Sequence, residues 1–177
     1  MYNKELCNLK KAIWSKIELD EADKELSVLF YECVGDLLKN NMVNELDCFS
    51  QHKGTSRLQH SINVAYYSFL VCYKLGLDYK SAARAGILHD LFLYDWREEN
   101  NSAKEHITAH PKAALKNARK IADLNRVEED AILRHMWPMT IIPPRFKESH
   151  IVSFVDKLCA CAEVIDRFGA IYTAEQN

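Results

Sequence analysis

Four histidines and two aspartates in this chain combine metal-binding chemistry with informative placement. His60, His89, His110 and His135 each fall in or at the edge of a different helix-forming stretch. Asp90 and Asp156 sit in the apolar strings Gly86-Ile-Leu-His-Asp-Leu-Phe and Ile151-Val-Ser-Phe-Val-Asp. A carboxylate in such surroundings is costly to bury unless it is paired, hydrogen-bonded or bound to a cation. Imidazoles and carboxylates on separate helices are the donors that an N/O metal site in a helical bundle needs. Each residue alone has a plainer reading. A histidine on a helix face is usually a satisfied core or surface group, and a buried aspartate can pair with an arginine or cap a neighbouring helix. The joint pattern favours a site, while spacing alone leaves open whether the six faces converge.

The elements that must position these groups read as helices throughout. Only five glycines and four prolines occur, and period-two β-branched runs are missing. Leu6, Leu9, Ile13 and Ile17 mark one amphipathic helix. Asp20 offers a cap for a second, with Leu26, Leu29, Phe30, Cys33, Val34, Leu37 and Leu38 on its apolar face. The polar segment from Asn44 to Ser56, holding Gly54, reads as a loop. A third helix carries Leu58, Ile62, Ala65, Tyr66, Phe69 and Tyr73 and ends at Gly76. Ser81 is placed to cap a fourth, whose Ala82, Ala83, Ala85 and Gly86 suit close helix packing. Trp96 to Thr108 is charged and poorly periodic, so a surface loop or lid is expected there, His106 included. Pro111 suits the first turn of a fifth helix, and Asn125 with Glu128 makes a capping-box start for a sixth. After Pro138, Pro143 and Pro144, a last helix runs from about Glu148 to Phe168 and stops at Gly169. The expected architecture is all-α and single-domain. Residues 1–53 form a helical extension packed on the core, 54–168 the site-bearing domain and 169–177 a tail.

Composition narrows the partners. The chain of 177 residues is 48% hydrophobic and 27% charged with a formal net charge of −2, which fits a globular domain and gives no preference for nucleic acid. No signal peptide and no apolar run of membrane-spanning length stand out, so no membrane association and a cytoplasmic location are expected. The six cysteines lack CxxC spacing and are expected to be reduced. Cys159 and Cys161, two apart on one helix, diverge and do not form a natural chelate.

The ordered set His60, His89-Asp90 and Asp156 resembles the H…HD…D signature of HD-domain proteins, an all-helical superfamily of metal-dependent phosphohydrolases. Arg57, three residues before His60, and Val64-Ala65 after it look like the first motif of that family. His110 and His135 match the two extra histidines of its dinuclear branch, which includes dinucleoside tetraphosphate hydrolases and cyclic dinucleotide phosphodiesterases. The resemblance covers roughly Gly54 to Phe168. One departure is Leu91-Phe92-Leu93 after His-Asp, where many relatives have Ile-Gly-Lys or similar. A lysine that assists phosphate binding in those relatives is therefore missing at that spot.

The resemblance implies an HD-domain helical bundle with two divalent transition metal ions. His60, His89, Asp90 and Asp156 would hold the first; His110 and His135 would hold the second, with Asp90 bridging. Iron and manganese head the candidates, followed by zinc, nickel and cobalt. Such a pair lowers the pKa of a shared water and neutralises charge on phosphoryl oxygens. Asp90 and Asp95 are the expected catalytic carboxylates, Asp95 orienting a water or donating a proton. Arg57 and Lys112 are the expected phosphate-binding cations. The implied activity is hydrolysis of a phosphate ester or anhydride in a small phosphorylated substrate, a nucleotide or dinucleotide first. A di-iron oxygenase of the same fold and a non-catalytic nucleotide-binding module are the competing readings. The amphipathic N-terminal helices would pack on this domain or on a second copy in a homodimer.

Overall fold

A computed structural model describes residues 24–52, 55–95 and 103–174. Helix α1 (Lys24–Leu38) is followed by the short α2 (Asn41–Asn44) and a 3-10 turn (Glu45–Cys48). A small hairpin of β1 (Ser50–His52) and β2 (Thr55–Ser56) comes next. Then follow α3 (Arg57–Lys74), α4 (Tyr79–Leu88), α5 (Ala103–Ile121), α6 (Arg126–Arg134) and α7 (Lys147–Ala174). The fold is all-α, as expected, with one two-stranded antiparallel hairpin among the described residues. The expected helix at Leu6–Ile17 and the Asp20 cap lie outside those residues. No described helix is long and apolar enough to cross a membrane.

Helix α3 is the spine. One side of it, with Ile62, Tyr66 and Phe69, joins Phe30, Val34 and Leu37 of α1, Ile87 and Leu88 of α4, Ala114 and Ala118 of α5, and Ile132 of α6. Its other side, with Val64 and Cys72, packs on Ala82 and Ala85 of α4, Ala131 of α6, and Val152, Val155 and Cys159 of α7. Small residues let α3 and α4 touch backbone to backbone. A Cβ added at Gly86 would lie 2.4 Å from the Ala65 Cα. Cys159 is buried and Cys161 exposed, so the two thiols do diverge.

Local chemistry explains where the helices begin and end. Ser56 caps α3 by accepting from the Gln59 N–H, and Gly76, at φ +65°, ends the turn after it. Asn125 and Glu128 form the full capping box of α6.

Four expectations are corrected. The supposed loop at Asn44–Ser56 holds the 3-10 turn and the hairpin, elements too short to leave a periodic signature. Helix α4 starts two residues before Ser81, because Asp78 takes the cap through the Ser81 N–H. Helix α5 starts at Ala103 and runs through Pro111, so His106 is helical. Proline costs a helix most where it displaces a needed N–H bond, and here the turns on either side carry the element. Helix α7 continues through Gly169 to Ala174, because one glycine weakens a helix without stopping it when helix formers follow.

Candidate metal centre

Five helices deliver six side chains to one place. His60 comes from the second turn of α3, and His89 is the residue that ends α4, with Asp90 next. His110 lies mid-way along α5, His135 ends α6, and Asp156 lies on α7. Donor atoms of His60, His89 and Asp156 lie within 4.8 Å of one another, and so do those of Asp90, His110 and His135. The two groups adjoin. Asp90 Oδ1 is 3.5 Å from both His110 Nε2 and His135 Nε2, while Oδ2 is 3.6 Å from His89 Nε2. Asp156 Oδ1 is 3.1 Å from His60 Nε2 and 3.7 Å from His89 Nε2.

The second nitrogen of every ring is held by an acceptor. His89 Nδ1 donates to Gly86 O (2.8 Å), His110 Nδ1 to His106 O (2.8 Å) and His135 Nδ1 to Ile132 O (2.9 Å). His60 Nδ1 faces the Glu163 carboxylate at 3.1 Å. Carbonyl and carboxylate oxygens only accept, so each Nδ1 carries its proton, and each ring, when neutral, turns an Nε2 lone pair inward. His110 Nε2 and His135 Nε2 then face each other at 2.9 Å, lone pair towards lone pair. His89 Nε2 and Asp90 Oδ1 are buried with no hydrogen-bond partner at all. A cation between these atoms removes every one of those conflicts, and two helix C-termini, of α4 and α6, end where it would sit. The donor set fits divalent metal ions.

A family model described as HD domain matches residues 57–161. The chain belongs to the HD-domain family. That superfamily comprises metal-dependent phosphohydrolases, and its members bind divalent metals through such histidine and aspartate sets. A protein named Ribonuclease Y from Mycoplasma mycoides is 33% identical over 84 residues, covering 42% of this chain and 20% of the relative. A Ribonuclease Y from Mycoplasma capricolum subsp. capricolum matches at 33% over 84 residues, 42% of this chain and 16% of the relative. The chain thus spans a fifth or less of the curated relatives it matches. No solved structure matches it.

Electrostatics in the HD-domain site follow from this crowding. Burial acts to lower His60, yet hydrogen bonds from its ring to the Asp156 and Glu163 carboxylates more than reverse that and push it up to about 10. Burial, then the neighbouring His110 and His89, press His135 down to about 3. Burial opposes the ionised form of both aspartates. The three imidazoles around Asp90 and the two beside Asp156 nonetheless hold each well below the carboxylate range.

The remaining sequence candidates land elsewhere. Arg57 is 1% exposed, its guanidinium 3.6 Å above the Phe92 ring and hydrogen-bonded to Phe92 O (2.6 Å), Tyr94 O (3.5 Å) and Gln51 Oε1 (3.1 Å). It pins the segment after His89-Asp90 and lies outside the lining of the cavity over the metal centre. Lys112 is exposed on α5, outside the lining of the cavity over the metal centre. Asp95 is half-buried on the non-helical segment beyond α4, and it too is outside that lining.

The cavity, about 220 Å³, is lined by Gln51, His106, Met136, Met139 and Lys157 besides the metal candidates. Sequence reading missed most of these. Lys157 Nζ hydrogen-bonds to His135 O and lies 3.3 Å from Asp156 Oδ2. His106 stacks on His110 with ring centroids 4.5 Å apart. Behind the site, Glu163 is fully buried, held by Asn63 Nδ2 (3.1 Å), which Gln59 orients in turn (3.0 Å). A signal did exist. Asn63 is three residues after His60 and Glu163 seven after Asp156, so each shares a helix face with a ligand. For Gln51 there was no signal, since it acts from a hairpin that carries no periodicity.

Proposed function

We propose that this HD domain is a dinuclear metal-dependent phosphohydrolase for a small phosphate ester or anhydride, with a nucleotide or dinucleotide as first choice. The observation that carries it is the inward convergence of four histidine Nε2 atoms on two ionised aspartates. His60, His89 and Asp156 would hold one ion and Asp90, His110 and His135 the other, with the second Asp90 oxygen turned towards His89. Iron and manganese are the first choices, and zinc, nickel and cobalt also match an imidazole-carboxylate set. When bound, such ions supply a water of lowered pKa and positive charge for the phosphoryl oxygens.

The chain's own residues supply the rest. Lys157, 28% exposed at the cavity wall, is the cation for a further phosphate oxygen and takes over the part expected of Arg57 and Lys112. Gln51 offers an amide from the hairpin side, and His106 is the one cavity histidine outside the ligand groups, placed to hand a proton to a leaving oxygen. Met136 and Met139 give an apolar wall for a base. The two relatives named as ribonucleases support a phosphoester as the bond cleaved. The net charge of −2 favours a small substrate over a long polyanion.

The test is metal analysis of protein purified without chelators, then phosphate release across nucleotides, dinucleotides, sugar phosphates and a short RNA. Two bound transition metals and release from one class are expected. Oxygen consumption without phosphate release would overturn the hydrolase assignment in favour of the oxygenase of the same fold.

A further inference from the structure

Gln51 joins two groups that define its orientation without ambiguity. Arg57 Nε, which only donates, meets Gln51 Oε1 at 3.1 Å, and Gln51 Nε2 meets Asp90 Oδ2, which only accepts, at 2.6 Å. Turning the amide over would set donor against donor and oxygen against carboxylate, so the chain of bonds runs one way, from Arg57 through Gln51 to Asp90. Arg57 cannot drift. Its guanidinium lies between the Phe49 ring, 4.9 Å to centroid, and the Phe92 ring, and it is tied to the carbonyls of Phe92 and Tyr94. These carbonyls belong to the segment that immediately follows Asp90. The same guanidinium therefore fixes both the backbone beyond Asp90 and the amide that grips its side chain.

The consequence falls on one oxygen. With Oδ2 taken by Gln51, the carboxylate cannot rotate, and Oδ1 is left bare, 3.5 Å from the Nε2 atoms of His110 and His135. We propose that Gln51, oriented by Arg57, is a positioning residue that presents Asp90 Oδ1 to the metal site formed with His110 and His135. This rests on the dinuclear reading above. It gives the hairpin, the element absent from any helical pattern, a defined part in choosing which ion is held tightly.

The test is titration of the metal-stripped full chain with manganese(II), followed by calorimetry and by the free-ion resonance signal. The wild-type protein is expected to bind in two steps. Gln51→Leu removes both polar atoms of the amide at a half-buried position, and it should weaken one step about 10- to 100-fold, the range for loss of an outer partner of a ligand. The step at His60, His89 and Asp156 should stay as in wild type, and helical circular dichroism should be unchanged. Gln51→Met repeats the measurement with another side chain of similar length. Arg57→Lys, which keeps the charge but loses the planar fork, should weaken the same step in the same direction. A merely structural role would weaken both steps together through loss of fold. Wild-type isotherms in both Gln51 variants overturn this inference alone. A single step in the wild-type protein overturns the dinuclear reading and this inference with it.

Discussion

At His60 a proton and the proposed metal ion would compete for one nitrogen. The raised value of about 10, against an ordinary 6.5, means the metal-free ring is an imidazolium between Asp156 and Glu163 at neutral pH. A raised folded-state pKa stabilises fully below the unfolded value and loses that contribution as pH climbs through the folded one. Metal-free protein should therefore lose stability between about pH 6.5 and 10, and metal binding near neutrality should expel a proton. Melting temperatures against pH, with and without chelator, test the first. Heats of manganese binding in buffers of different ionisation enthalpy test the second. His135 works in the opposite sense. Its depressed value of about 3 makes its contribution complete above 6.5 and lost as pH falls towards 3. Glu163→Gln keeps the shape but not the charge behind His60, and metal affinity should drop about 10- to 100-fold in the same titration. Asp90→Ala should abolish metal retention and activity while helical circular dichroism stays intact. His60, His89, Asp90 and Asp156 were legible as candidates from polar residues in apolar helical strings together with the family signature, and His110 and His135 mainly through the resemblance. Gln51 and Lys157 were not, since charged and amide side chains on helix faces or hairpins ordinarily face water, while Glu163 carried a signal only in its helical spacing from Asp156.

Helix α4 depends on contact with α3 that only glycine permits. Gly86→Ala would drive a Cβ into the Ala65 backbone, and overpacking of this kind costs about 1–3 kcal/mol. The two helices carry His60 and His89, so the expected outcome is a lower melting temperature together with weakened binding at that pair. Denaturant unfolding and manganese titration of the variant measure both. A second tie is Arg84 of α4, which bonds Glu128 of α6 (3.0 Å), Asp36 of α1 (2.8 Å) and the Cys33 carbonyl (3.1 Å). At this scale the sequence was informative wherever a helix carried period and cap together, as in α3 and α6. It misled where one residue type was allowed to decide alone. Pro111 was read as a beginning and Gly169 as an end, yet the surrounding turns outweighed both. The fourth-helix cap shifted because Asp78 and Ser81 are both cap formers, and the Asp78 carboxylate takes the Ser81 N–H and hydroxyl at once.

Metal ions at this centre would join α3, α4, α5, α6 and α7, which makes the bound ion the one component in touch with nearly the whole bundle. Native-state binding at 100 times the dissociation constant adds about 2.7 kcal/mol per site. Chelation should accordingly lower the thermal midpoint, and restoring manganese should recover it, with scanning calorimetry as the readout. The family match over 57–161 takes in α3 to most of α7, while α1 packs into the same apolar core from outside that range. One further consequence follows from how the rings are held. Three of them take their orientation from a carbonyl three or four residues back in their own chain, so each ring's orienting partner is local to its own helix. His60 instead waits for a carboxylate 103 residues downstream. On the ribosome the imidazoles of α3 to α6 emerge well before α7. An ion arriving early would find only part of the proposed shell, which the docking of that one late helix would complete.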